Sequence, residues 1–298
     1  MEYLDGRAVD EGSGAGGPTS RRRAVMPGLA VPGATLHYEL QGSGPLLLIS
    51  QSGEGDADRT MDLVPHLTET FTVLTYDRRG LSRSRLEQPG RTTSLAEHAD
   101  DVHRLLAAVT DEPALMLGCS LGAVIGLHVA ADHPGQLSAL VAHEPVVPRL
   151  LPDAADRKRH EAELVELQHT FREEGLPAAV REAARVLGID TSGKDSEPGL
   201  TPQPMSEQRR ANFAYFIEHD FAAILQDTLD PAAVAASTTR ILPAVGATTP
   251  PTVFDVACAR ALADLVGSGI RVFPGGHNGN TSHPRAYAAR LRAVLTGR

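Results

Sequence analysis

Gly118-Cys119-Ser120-Leu121-Gly122 has the spacing G-x-S-x-G. It lies between an apolar run, residues 114–117, and a helix-patterned run, residues 124–132. A serine in that context stands on a sharp strand-to-helix turn as a nucleophile. The turn drives its central residue towards positive φ, and glycines two before and two after let strand and helix approach. The hydroxyl is then open to a carbonyl carbon above the sheet edge. A serine hydroxyl alone is a weak nucleophile. It needs a base to take its proton, an acid to orient that base, and N–H groups to hold a developing oxyanion.

The base is expected at His277. It ends Phe273-Pro-Gly-Gly-His277, after the last strand signal and before the last helix signal. Of the twelve histidines, His128 and His133 follow the elbow and read as packing or surface residues. His98 and His103 are five apart, share no helical face and make a poor metal pair. His283 precedes a proline at a helix start.

The usual place for the acid follows the strand at 241–246. There Gly246-Ala-Thr-Thr-Pro250 has no carboxylate before Asp255, and Thr249 stands where an Asp would be expected. One strand earlier, Val141-Ala-His-Glu144-Pro145 carries a carboxylate at a strand end. Parallel strands point one way, so this end is on the same side as the elbow, and Glu reaches further than Asp. Glu144 is therefore assigned as the acid, with Asp255 in reserve. The oxyanion donors are assigned to the amides of Leu121, just after the nucleophile, and Gly53, in the loop Gln51-Ser-Gly-Glu-Gly55. Glu54 is the less favoured donor.

These residues need a scaffold, and strand and helix signals alternate to supply one. Strands are expected at 35–40, 46–49, 72–76, 115–118, 137–142, 241–246 and 270–273. Helices are expected at 62–67, 94–109 and 284–295. In the second, Leu95, Val102, Leu105, Leu106 and Val109 form one stripe behind the N-cap Ser94. Near-continuous apolar strands between helices predict an α/β fold with a mostly parallel sheet covered on both faces. Residues 150–235 read as an all-helical insertion, with helices at 156–174, 176–187 and 206–229 and a Gly/Pro/Ser-rich loop at 190–204. Leu164, Leu167, Phe213, Phe216 and Ile217 are its candidates for roofing a pocket. Residues 28–149 and 236–298 form the expected core, and 1–27 a disordered leader.

Composition narrows the partners. With 298 residues, 42% of them hydrophobic, the chain can bury a large core. A formal net charge of −9 argues against nucleic acid or an anionic membrane, and the absence of Trp against a base-stacking platform. No apolar run reaches the length of a membrane span. Two cysteines, Cys119 and Cys258, make no disulfide framework and suggest a reducing, cytoplasmic setting. Arg21-Arg22-Arg23 lacks a following apolar segment and reads as a solvated charge run rather than an export signal. No cofactor or metal is implied, the expected partner is a small-molecule substrate, and nothing in the sequence sets an oligomeric state.

Together these segments resemble the α/β-hydrolase superfamily over residues 28–149 and 236–298. The resemblance rests on the elbow, on His277, and on Tyr76-Asp-Arg-Arg-Gly80-Leu-Ser-Arg-Ser84. That stretch is similar to the family's D-x-R-G-x-G-x-S loop, with Arg83 read in place of the second glycine. The loop 51–55 is similar to the His-Gly-Gly-Pro-Gly segment of proline iminopeptidase-like members. Gln51, Ser52 and Glu54 depart from it and weigh against peptidase activity. Haloalkane dehalogenases of the superfamily carry their acid after the earlier strand, which supports Glu144. The order Ser120, Glu144, His277 also matches the family order. A serine at the elbow argues against the dehalogenase and epoxide-hydrolase branches, which place a carboxylate there. The resemblance implies acyl-enzyme hydrolysis of a small to medium, largely apolar ester, lactone or thioester under a helical cap. A non-hydrolytic reaction in the same pocket (cyclisation, C–C cleavage or cofactor-free oxidation) is the alternative, kept open by Glu54 and the displaced acid.

Overall fold

Eleven strands and ten α-helices follow one another in the computed structural model, which describes residues 24–25 and 28–297. The strands are β1 Ala24–Val25, β2 Leu29–Val31, β3 Ala34–Leu36, β4 Tyr38–Gly42, β5 Leu46–Ser50, β6 Thr72–Tyr76, β7 Arg85–Leu86, β8 Ala114–Cys119, β9 Leu137–His143, β10 Arg240–Gly246 and β11 Arg271–Phe273. The helices are α1 Leu95–Val109, α2 Leu121–Asp132, α3 Ala154–Glu174, α4 Leu176–Val186, α5 Glu207–Tyr215, α6 Phe221–Leu225, α7 Pro231–Ala236, α8 Phe254–Val266, α9 Gly279–Ser282 and α10 Pro284–Thr296.

The main sheet has the order β1-β4-β6-β5-β8-β9-β10-β11. Its strands from β6 to β11 are parallel, and β4 and β1 are antiparallel additions at one edge. Side chains alternate between two cores, as the strand's period of two requires. Leu48, Leu74, Met116 and Leu140 face one core with α1, α2 and α8, while Leu47, Ile49, Leu117 and Val141 face the other with α10. Both faces are covered, which is why these strands are apolar throughout rather than alternating in sequence. The fold is α/β, with a mostly parallel central sheet and helices on both faces.

Local signals hold where they are strong. Ser94 caps α1: its Oγ accepts from the Glu97 amide at 3.2 Å, and the Glu97 carboxylate accepts from the Ser94 amide at 3.0 Å. Elsewhere tertiary packing overrides them. The strand expected at 35–40 is two strands in different sheets, broken at His37, whose amide donates to Ser84 Oγ at 2.9 Å. The helix expected at 62–67 is instead a pair of short 3-10 turns, Ala57–Thr60 and Val64–His66. The helix expected at 206–229 is interrupted by a π-helical turn, Phe216–Asp220, between α5 and α6. Helices α8 and α9 lie where no helix was expected, and α7 closes the expected helical insertion beyond its last assigned helix. Arg21-Arg22-Arg23 and most of the expected leader lie outside the described residues. Ala24–Val25 does not belong to a disordered leader, because it pairs with Glu39 and Leu40. Among the described residues, no helix is long and apolar enough to cross a membrane.

Candidate active site

The elbow turns between β8 and α2, and Ser120 holds φ 55° and ψ −115°. Its amide donates to the His143 carbonyl at 2.8 Å, and its carbonyl accepts the Ala123 amide at 3.0 Å as α2 begins. The two glycines are required by contact. A Cβ on Gly118 would lie 2.5 Å from the Gly122 carbonyl oxygen, and one on Gly122 would lie 2.1 Å from the Ser50 carbonyl oxygen in the neighbouring strand. Both obstacles are backbone and cannot swing aside. Gly122→Ala is therefore expected to destabilise the protein by about 1–3 kcal/mol, read as a lower urea midpoint at unchanged slope. An unchanged midpoint would mean that α2 slides freely over β5.

Among the described residues, two further non-glycine residues hold positive φ, Ser82 at 47° and Glu144 at 45°. Such strain costs roughly 1–3 kcal/mol and gathers at functional sites. Ser82 corrects the sequence register: it occupies the second glycine position of the Asp77–Ser84 loop, and Arg83 does not. Glu144 is strained at the end of β9, where its amide donates to the Ala244 carbonyl at 2.9 Å.

The strained backbone turns the Glu144 side chain onto His277. His277 Nδ1 donates to Glu144 Oε2 at 2.8 Å, and Glu144 Oε1 accepts the Gly246 amide at 2.7 Å. Asp255 reaches the same ring atom from the first turn of α8, with Oδ2 2.7 Å from Nδ1. Its Oδ2 lies off the N–H direction and has no hydrogen bond, so the aligned partner is Glu144. The sequence reading treated the two carboxylates as alternatives; the structure brings both to one nitrogen. All three side chains are buried.

Burial alone would raise the Glu144 carboxyl, but the hydrogen bond from His277 and the charges of His143 and His277 outweigh it and lower it to about 2. For Asp255 burial dominates, His277 only partly offsets it, the charge of Glu144 adds to it, and the carboxyl is pushed up to about 6. Burial works to lower His277, yet the close approach and charge of Asp255 and the hydrogen bond and charge of Glu144 carry it up to about 10. Donor atoms of these three side chains lie within 4.8 Å of one another, a spacing that could also hold a cation. The oxygens of Glu144 are already taken by the Gly246 amide and the imidazole, which fits a charge network better than a ligand set.

Among the described residues, His277 Nε2 has no hydrogen-bond partner. Ser120 and His277 line one cavity of about 180 Å³, walled mainly by Val180, Leu187, Ile189, Phe213 and Phe216. Of the five expected roof residues, Phe213 and Phe216 line the cavity, whereas Leu164, Leu167 and Ile217 are buried in the core. Gly53 also lines it, pressed so close to Phe216 that a Cβ would lie 2.1 Å from the ring. Leu121 is the first residue of α2, where helix amides point outward. The Glu54 carboxylate accepts from Arg209 Nη2 at 2.9 Å and lies 3.5 Å from Arg59 Nε. The other histidines do other work: His128 pairs with Asp227 at 2.8 Å, and His103 stacks on His133 at 4.0 Å between ring centroids. His283 meets Ser282 Oγ at 2.9 Å at the start of α10. Sequence reasoning missed Arg78, Asn212 and Asp220, which converge behind the Gly53 loop; Arg78 stood in a variable position of its loop and carried no signal.

A strained serine at the carboxyl edge of a parallel sheet, with a carboxylate-bound imidazole on the same cavity wall, defines a class of fold and site. Residues 45–165 match the family described as alpha/beta hydrolase fold. The chain is 36% identical over 271 residues to the Bacillus subtilis (strain 168) protein named "Uncharacterized hydrolase YraK", covering 90% of this chain and 94% of that one. The chain therefore belongs to the α/β-hydrolase family. Among solved structures it is similar to a hydrolase from Pseudomonas aeruginosa PA01, with 25% identity, a TM-score of 0.67, and coverage of 90% of this chain and 97% of that one. It also shares its fold with a thermophilic esterase from Thermogutta terrifontis, with 20% identity, a TM-score of 0.69, and coverage of 93% and 98%.

Proposed function

We propose that the protein is a serine hydrolase that cleaves small to medium, largely apolar esters, lactones or thioesters through an acyl-enzyme. One observation carries this reading. Among the described residues nothing hydrogen-bonds His277 Nε2 while Glu144 holds Nδ1, on the cavity wall that also bears the strained Ser120. In the proposed reaction Ser120 Oγ bonds to the substrate carbonyl carbon and its proton passes to His277 Nε2. The amides of Gly53 and Leu121 hold the oxyanion, and Glu144 stabilises the imidazolium. Collapse breaks the bond to the leaving oxygen or sulfur, which takes the proton from Nε2. Water then loses a proton to His277, attacks the acyl carbon and releases the acid, and Ser120 regains its proton. Residues 150–235 act as a cap that supplies the apolar wall. The buried free thiols of Cys119 and Cys258 fit a reducing compartment.

The test is a series of p-nitrophenyl esters of rising acyl length together with simple lactones and thioesters. A nitrophenolate burst stoichiometric with enzyme is expected, with kcat/KM falling steeply once the acyl chain outgrows the cavity. A folded enzyme that turns over no member of the series would overturn the reading.

A further inference from the structure

Arg78 is a buried cation with an unusual set of partners. Its side chain is 1% exposed. Nη1 donates to the Ser52 carbonyl at 3.1 Å, and Nη2 donates both to the Gly53 carbonyl and to Asp220 Oδ2, the latter at 2.6 Å. The next carbonyl, that of Glu54, accepts from Asn212 Nδ2 at 3.2 Å. Three consecutive carbonyls of one loop are thus tied down by side chains.

The tie has a geometric consequence. In a trans peptide the N–H points opposite to the C=O. Holding the Ser52 and Gly53 oxygens on Arg78 turns the amides of Gly53 and Glu54 the other way. Both residues line the cavity that contains Ser120, so that direction is towards the reacting carbonyl. Asp220 is needed because a buried guanidinium without a counter-charge is strongly unfavourable. Asp220 is itself 1% exposed, and its second oxygen lies 3.4 Å from His98 Nε2. Asn212, Phe216 and Asp220 all come from α5 and the π-helical turn that follows it. One short stretch of the helical segment therefore packs a ring on Gly53, binds the Glu54 carbonyl and neutralises the cation behind the loop. Turns of π type are frequent at functional sites.

We propose that Arg78, with Asp220 as its counter-ion, is a positioning residue that sets the oxyanion hole, so that the hole is complete only while the π-helical turn is docked on the 51–55 loop. The proposal rests on the serine-hydrolase reading. Neither residue touches substrate; both act through the Gly53 and Glu54 peptides.

The experiment compares the wild type with Arg78→Lys, which keeps the charge and loses the fork, and with Asp220→Asn, which keeps the shape. An ester substrate gives kcat and KM. A trifluoromethyl ketone reports on the tetrahedral adduct, and the matching secondary alcohol on ground-state binding. Both variants are expected to lose about tenfold to a hundredfold in kcat, with KM within about threefold. The ketone should weaken by the same factor, with alcohol binding and the acid limb of the pH profile unmoved. Equal weakening of ketone and alcohol, or unchanged kcat, would show a purely structural role and overturn the proposal. Asn212→Ala, which leaves the Arg78–Asp220 pair intact but frees the Glu54 carbonyl together with the amide and hydroxyl of Ser82, decides the matter by the same ratio if neither variant folds. A wild type that hydrolyses no ester removes the serine-hydrolase reading together with this one, whereas an active wild type with unaffected variants removes this one alone.

Discussion

Ser120→Ala is expected to lower turnover of an activated ester by roughly 10³- to 10⁶-fold, leaving only what the oxyanion donors and the cavity supply. The fold should survive. The Ser120 side chain makes no capping bond to α2, and alanine meets the positive φ no worse than serine does. The thermal midpoint of the variant should therefore match the wild type, which separates lost chemistry from lost structure. A fluorophosphonate should label the wild type once, at Ser120, and leave the variant unlabelled. Labelling at another residue, or a variant that keeps its turnover, would remove Ser120 from the mechanism.

Exchanging the two carboxylates on His277 should produce opposite results. Glu144 makes the aligned hydrogen bond, so Glu144→Gln is expected to cut kcat by about 10²- to 10⁴-fold through loss of imidazole orientation. Asp255 lies as close but is not aligned, and its main effect is electrostatic. Only the neutral imidazole accepts the serine proton. Two carboxylates hold His277 up at about 10, so its protonated form persists through neutral pH and kcat/KM should climb on the alkaline side. Asp255→Asn removes one of those charges. It should move the acid limb of the kcat/KM profile to lower pH and raise activity at pH 7 relative to pH 9. A wild-type limb already near the ordinary imidazole value of about 6.5, unmoved in Asp255→Asn, would contradict this account. If Asp255→Asn loses turnover and Glu144→Gln does not, the roles are reversed. The same linkage bears on stability. A histidine raised from 6.5 to about 10 on folding contributes stability that is complete below about pH 6.5 and is lost as pH rises through about 10. The thermal midpoint should accordingly fall between pH 7 and pH 10, and fall less in Asp255→Asn.

Much of the scaffold was legible because its signals are local. The strand Thr72–Tyr76 is an uninterrupted β-branched and apolar run, and the capping box at Ser94 and Glu97 is complete within four residues. The loop Asp77–Ser84 was legible as a motif, but its register was misread by one position. Counting the motif from Asp77 puts the second glycine position at Ser82, and the backbone agrees, holding φ 47° there. Residues 62–67 were misread as a helix because their apolar spacing fits one, while their packing permits only the single turn Val64–His66. Helix α8 escaped notice because the Thr/Pro-rich stretch before it masks its start, and its first turn is where Asp255 lies.

The elbow, the parallel-sheet rhythm and the glycine-flanked imidazole are written in the local order of residues. Each depends on neighbours within a few residues, where spacing and φ preference act directly. The packing of distant segments decided that Glu144 and Asp255, 111 positions apart, share one imidazole nitrogen. It likewise decided that Asp220 lies 2.6 Å from Arg78 behind Gly53. Those contacts depend on the order in which strands stack and on where the π-helical turn seats, and long-range packing of that kind leaves no period in the chain.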